Sequence, residues 1–211
     1  MKQKNIDTIK LTSFNKTSID QLEEKYHFLK KTGYDFKGFV AEANEIFVHT
    51  GNVSLKGDYF VGDQSCGIYV IDGNLTIDGS FRHCIGDYYQ IIYVTGDVHA
   101  RNLTIDTDAA FFVGGSVHVD GYLYTNLSNA GALFVGGETT AKTMICLNRM
   151  SPTLTNAPNA QLILVSDNVK GGNNKSLKDA KLASEHIDED TLELEFGKFY
   201  ELIRTGKLKI Q

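Results

Sequence analysis

The sequence predicts a mainly β protein, a right-handed parallel β-solenoid of three-sided coils, and three observations point to it. Glycine-centred segments recur on Gly51, Gly73, Gly96, Gly115 and Gly137 at steps of 22, 23, 19 and 22 residues, the length of one turn of a coil. Apolar residues fall two apart after each glycine, the period of a strand with one buried face. The chain of 211 residues carries 20 glycines without collagen spacing and only two prolines, which suits an ordered fold with many tight corners. Right-handed winding follows from the strong bias of parallel crossovers.

Stacking the segments tests the register. Two residues after the glycine stand Val53, Leu75, Val98, Val117 and Thr139; four after it stand Leu55, Ile77, Ala100, Val119 and Ala141. Strand side chains alternate between two faces, so these ladders are expected inside. Between them Ser54, Thr76, His99, His118 and Thr140 are expected outside. Five after the glycine, Lys56, Asp78, Arg101, Asp120 and Lys142 alternate in sign. Each of these charges is expected between opposite ones, an arrangement that disfavours slipped registers. Runs such as Leu103-Thr104-Ile105 and Tyr122-Leu123-Tyr124 supply the third side.

The ends carry a different pattern. From Ile19 to Lys31 apolar residues fall at helical spacing, with Thr17 and Ser18 as candidate caps and Gly33 as a stop. After a sixth, less regular turn through Leu162-Ile163-Leu164-Val165, residues 170–174 read as a loop; Ser176–His186 and Phe196–Thr205 read as helices. The second places Phe199, Leu202 and Ile203 on one face. The expected organisation is an N-terminal helical cap (1–44), five to six solenoid coils (45–169) and a C-terminal helical cap (170–211), in one structural domain. Such caps block uncontrolled stacking of strand edges.

Composition excludes several classes. A formal charge of −5 without a dense run of Lys and Arg disfavours nucleic acid. The start lacks the apolar stretch of a secretory signal, and the longest aliphatic runs are too short for a membrane span, so a cytoplasmic protein is expected. Cys66, Cys84 and Cys146 are odd in number and unevenly spaced, which reads as free thiols. Cys66, Cys84 and His83 also offer part of a metal site on adjacent coils, short of the four close ligands that zinc usually takes.

The run Val70-Ile71-Asp72-Gly73-Asn74-Leu75-Thr76-Ile77-Asp78-Gly79 resembles the units of bacterial β-helical proteins of the polymer-forming, bactofilin-like type, and the resemblance covers about residues 46–147. It implies scaffolding by self-assembly without catalysis. The turns here are longer and richer in aromatics. Hexapeptide acyltransferase solenoids need an aliphatic residue at every sixth position, which this spacing lacks. Carboxylate clusters of the pectinolytic kind are missing as well, since Asp78 and Asp120 alternate with bases and Asp188-Glu189-Asp190 reads as a helix start. No nucleophile–base or phosphate-loop pattern is legible.

Two features are candidate sites. His99 and His118 stack on neighbouring coils, with Asp97 and Asp120 on the same face, and are the candidate metal ligands; an ordinary solvent ladder is the competing reading. Val48, Val70, Tyr93, Phe112 and Phe134 form an apolar ladder on an outer face. Either a terminal helix covers it, or Tyr93, Phe112 and Phe134 bind a partner. The expected function is a non-catalytic scaffold or protein-interaction module of the β-solenoid type without cofactor, acting on a protein partner or a second copy. The alternatives are an enzyme or small-ligand binder built on His99 and His118, and a toxin-neutralising immunity protein.

Overall fold

Strands this short cannot bury a face alone, so each coil depends on the coils above and below it. A computed structural model describes residues 14–27, 45–62, 67–85, 90–128, 131–147, 152–165, 175–176 and 201–205. The chain enters through β1 (Asn15–Thr17) and α1 (Ile19–Tyr26). Coil one holds β2 (Ile46–Thr50), β3 (Val53–Lys56) and β4 (Tyr59–Val61), and coil two holds β5 (Gly67–Asp72) and β6 (Leu75–Ile85). Coil three is β7 (Gln90–Val94) and β8 (Val98–Thr107); coil four is β9 (Ala110–Val113) and β10 (Val117–Leu127). Coil five is β11 (Ala132–Val135) and β12 (Thr139–Leu147), followed by β13 (Thr153–Leu154), β14 (Asn159–Val165) and β15 (Lys175–Ser176).

The first strand of each coil joins a seven-stranded sheet in the order β1-β2-β5-β7-β9-β11-β13. The remaining strands form an eight-stranded sheet, β15-β14-β12-β10-β8-β6-β3, with β4 also paired to β6. All pairs are parallel except β1 with β2. The second sheet bends. In coil one β3 and β4 are separate strands facing the two halves of β6, and the β6–β8 register shifts between Ile77 and Ser80, at the same place. The coil therefore has three sides, and the register is the expected one: Val53, Leu75, Val98, Val117 and Thr139 are successive partners.

Side chains satisfy the backbone at the corners. The amide of Asn74 donates to Asn52 Oδ1 (2.9 Å), Asp97 to Asn74 Oδ1 (2.8 Å), Ser116 to Asp97 Oδ1 (2.7 Å) and Glu138 to Ser116 Oγ (3.1 Å). A second corner uses Asp58, Ser80 and Asn102: Ser80 N donates to Asp58 Oδ1 (2.8 Å) and Tyr122 N to Asn102 Oδ1 (3.0 Å). The recurring glycine is required by stacking rather than by an unusual φ. A Cβ on Gly73 would stand 2.5 Å from the Gly51 carbonyl oxygen, and one on Gly115 2.7 Å from that of Gly96. Among the described glycines only Gly51 (φ 116°) and Gly57 (φ 97°), both in coil one, are left-handed.

The core runs up the middle of the stack through Leu75, Ile77, Phe81, Val98, Leu103, Ile105, Phe111, Val117, Leu123 and Leu133. A second cluster lies outside the seven-stranded sheet, where Leu22 and Tyr26 of α1 meet Val70, Tyr93 and Phe112. The helix begins at a capping box, Gln21 N to Ser18 Oγ and Ser18 N to Gln21 Oε1, both 3.3 Å. It stops at His27 in the left-handed region (φ 50°), earlier than the expected stop at Gly33, which lies outside the described residues. α1 thus flanks the solenoid and does not sit over its end.

The C-terminal expectations divide. Ser176, expected to open a helix, pairs instead with Val165 as part of β15, because the end of β14 offers it an unpaired edge. The rest of the Ser176–His186 segment, residues 170–174 and Phe199 lie outside the described residues. Residues 201–204 are helical and Ile203 is buried. Arg204 pairs with Asp58 at 3.1 Å, which sets this segment beside coil one.

Candidate functional site

Three outer faces surround the core. On the middle side, facing out between the buried ladders, Ser54, Lys56, Thr76, Asp78, His99, Arg101, His118 and Asp120 are all exposed. Here the expected charge ladder is realised in part. Arg101 reaches Asp78 at 3.2 Å, but Asp120 is held by His99 Nε2 at 3.1 Å. His99 and His118 are direct strand neighbours. Their rings serve different neighbours: His118 Nδ1 lies 3.0 Å from Thr140 Oγ1. Among the described residues no group of three or more His, Cys, Asp or Glu converges to hold a metal ion.

The apolar ladder stands in the expected register, Val48 through Val70, Tyr93 and Phe112 to Phe134. It is roofed. Tyr93 is 2% exposed, Phe112 1%, and Phe134 is half-buried. The Tyr26 ring meets Tyr93 edge-on at 6.3 Å between centroids, and Lys25 Nζ reaches Asp72 Oδ2 at 2.9 Å. That contact holds the Asp72 carboxyl below its usual range. With α1 docked, Tyr93 and Phe112 are packing residues and present no surface to a partner; an apolar strip beside an amphipathic helix is covered by it.

The third side holds a cluster that the sequence reading passed over. Arg82, Cys84, Thr104, Asp106, Tyr124 and Asn126 occupy the outward positions of β6, β8 and β10, yet Thr104, Asp106, Tyr124 and Asn126 are buried. Arg82 bonds Asp106 Oδ2 at 2.7 Å, and Asn126 Nδ2 donates to Asp106 Oδ1 at 2.9 Å. Cys84 Sγ lies 3.5 Å from the Arg82 guanidinium and 3.7 Å from Thr107 Oγ1. Burial pushes the Cys84 thiol up, and the Asp106 carboxylate adds to it. A protonated thiol is a weak nucleophile and metal ligand. Burial also drives the Tyr124 phenol well above its ordinary value.

No family model, curated protein or solved structure matches this chain.

His83, offered above with Cys66 and Cys84 as part of a metal site, points the other way. It is fully buried on the core side, 6.3 Å from the Phe111 ring. Burial lowers its pKa to about 3, offset only in part by Gln90. His83 and Cys84, adjacent in sequence, therefore stand on opposite faces of β6, and Cys66 lies outside the described residues. The signal for the Arg82–Asp106–Asn126 cluster was present as polar residues two apart on consecutive third sides. It was masked by the rule that outward strand positions are wet. The cluster's chemistry is inward-looking: a carboxylate neutralised by a guanidinium and an amide, beside a protonated thiol and phenol.

Proposed function

We propose that this protein is a non-catalytic scaffold that presents the middle face of its solenoid to a protein partner. One observation carries the reading. Of three outer faces, the first is covered by α1 and the third is buried across β8 and β10, while the middle face is exposed along coils one to four. A parallel stack holds its side chains at intervals of about 4.8 Å, a rigid array whose ordering cost is met on folding. Arg82, Asp106 and Asn126 on the third side bond one another, which favours a structural over a chemical role for them.

Filament growth of the kind implied by the bactofilin-like resemblance finds less support. At one end the β2 edge is taken by β1, which runs antiparallel and cannot template another coil of the same sense. At the other end stands Pro158. The equivalent residues Val53, Leu75, Val98 and Val117 each donate an amide to the coil above, at 2.8, 2.9, 2.8 and 2.8 Å, and proline has no amide hydrogen to donate.

The test uses the triple variant His99→Ala, Arg101→Ala, His118→Ala, whose exposed side chains can be trimmed without disturbing the core. A partner isolated with the native chain is expected to bind this variant about tenfold or more weakly, with the circular dichroism spectrum and Tm unchanged. Equal affinity for both proteins would overturn the assignment of the face.

A further inference from the structure

The order of charges on the middle face is a pattern that one chain alone does not use up. Leu55, Ile77, Ala100, Val119, Ala141 and Ala160 are successive partners in the eight-stranded sheet. One residue beyond each of them stand Lys56, Asp78, Arg101, Asp120, Lys142 and Gln161, a column that runs through all six coils and is exposed throughout. Arg101 reaches Asp78 and His99 reaches Asp120 within the chain, yet the side chains of Asp78, Arg101 and Asp120 stay 75%, 58% and 68% exposed. The charges are held in order and remain open to a second surface.

A partner for this column has to match its spacing. Coils repeat at about 4.8 Å, whereas an extended strand presents same-face side chains about 6.8 Å apart and falls out of step at once. A parallel stack has the right repeat, and this chain is one. The signs then restrict how two copies can meet face to face. If both stacks run the same way, each charge in the column meets its like. A two-fold axis lying in the interface along the strands keeps the column opposite itself and reverses the coil order. With that axis level with a coil, like charges meet again; with it between two coils, every charged pair is opposite. Only the axis between coils three and four lets all six coils overlap.

We propose that the partner of the middle face is a second copy of this chain, docked face to face about a two-fold axis between coils three and four; this rests on the reading of the middle face given above. Arg101 then faces Asp120 of the second copy, Asp78 faces Lys142, and Lys56 faces the neutral Gln161. In the neighbouring column His99 meets His118 and Thr76 meets Thr140. At the corner Asp97 meets Ser116 and Glu138 meets Asn74, so no two formal charges of one sign stand opposite each other. The interface is isologous and closes after two copies, and it uses neither end of the solenoid. A small, polar face of this kind gives a weak dimer that salt dissolves.

Sedimentation of the full chain tests this at about 0.01 M and about 1 M salt. The native chain is expected to dimerise at the lower concentration and to associate about tenfold or more weakly at the higher. Arg101→Glu sets two carboxylates together at both symmetry-related contacts, and Asp120→Arg sets two guanidinium groups together there. Each variant alone is expected to be monomeric, with its circular dichroism spectrum and Tm unchanged. Mixed in equal amounts the two become complementary, and the dimer is expected to return. An axis between coils two and three would leave the new carboxylate facing Asp78, so the recovery also reads the register. Should either variant unfold, Asp78→Lys and Lys142→Glu form a second pair with the same logic. A monomeric native chain at low salt, or a mixture that stays monomeric, would overturn the proposal. The reading of the middle face stands or falls separately: a monomeric native chain whose isolated partner still discriminates against the triple alanine variant removes the second copy and keeps the face.

Discussion

Asp106 shows how much of this fold depends on single polar groups. Its carboxylate is 3% exposed and sits between Arg82 and Asn126. Removing one partner of a buried pair leaves the other charge stranded, so Asp106→Ala is expected to destabilise by about 3–5 kcal/mol. Urea denaturation checks it, and Arg82→Met with Asp106→Leu is expected to recover much of the loss. His83 makes stability depend on pH. Its folded value of about 3 lies below the ordinary histidine value of 6.5, so between these limits the unfolded chain binds a proton that the folded chain refuses. Its contribution is complete above pH 6.5 and falls as pH drops toward 3, by up to about 1.4 kcal/mol per unit. Denaturation midpoints at pH 7.5 and 4.5 are expected to converge in His83→Leu. His99 and His118 are exposed, and replacing both by alanine is expected to change stability by less than about 0.5 kcal/mol and to leave metal content unchanged by elemental analysis.

At the scale of elements, α1 illustrates a structure too short to persist alone. Eight residues do not form a stable isolated helix, so its order comes from docking. Leu22 is 1% exposed against the apolar ladder, and Leu22→Ala is expected to cost about 2–5 kcal/mol of the helix's attachment. The readout is dye binding to the uncovered Tyr93 and Phe112 while the far-ultraviolet spectrum stays that of the solenoid. The coil corners are less forgiving. Gly73→Ala forces a methyl group onto the Gly51 carbonyl, and the stack must part to admit it. The alternating apolar ladders made the coil register legible from sequence, because parity and a fixed period leave one solution. Corner hydrogen bonds such as Asn74 to Asn52 were just as regular in sequence, but a side-chain ladder of Asn, Asp and Ser becomes meaningful only once stacking is known.

The whole molecule is a one-dimensional array in which each coil touches its neighbours. Central coils have neighbours on both sides and end coils on one, so amides of β8 and β10 are expected to exchange most slowly and those of β4 and β13 fastest, as mass spectrometry of exchanged peptides would show. The sequence alone determined the stack: the coil length, the corner positions and the residues that face inward, all of which follow from periodicity along one chain. Tertiary structure decided what each outer face is for. Parity marks Ser54, Phe112 and Asp106 equally as outward, yet the first lies in water, the second beneath a helix and the third in a buried ion pair. The reason is physical. Periodicity reports on contacts between successive coils, whereas the covering of a face depends on segments far away in the chain, whose docking is set by shape and leaves no period behind.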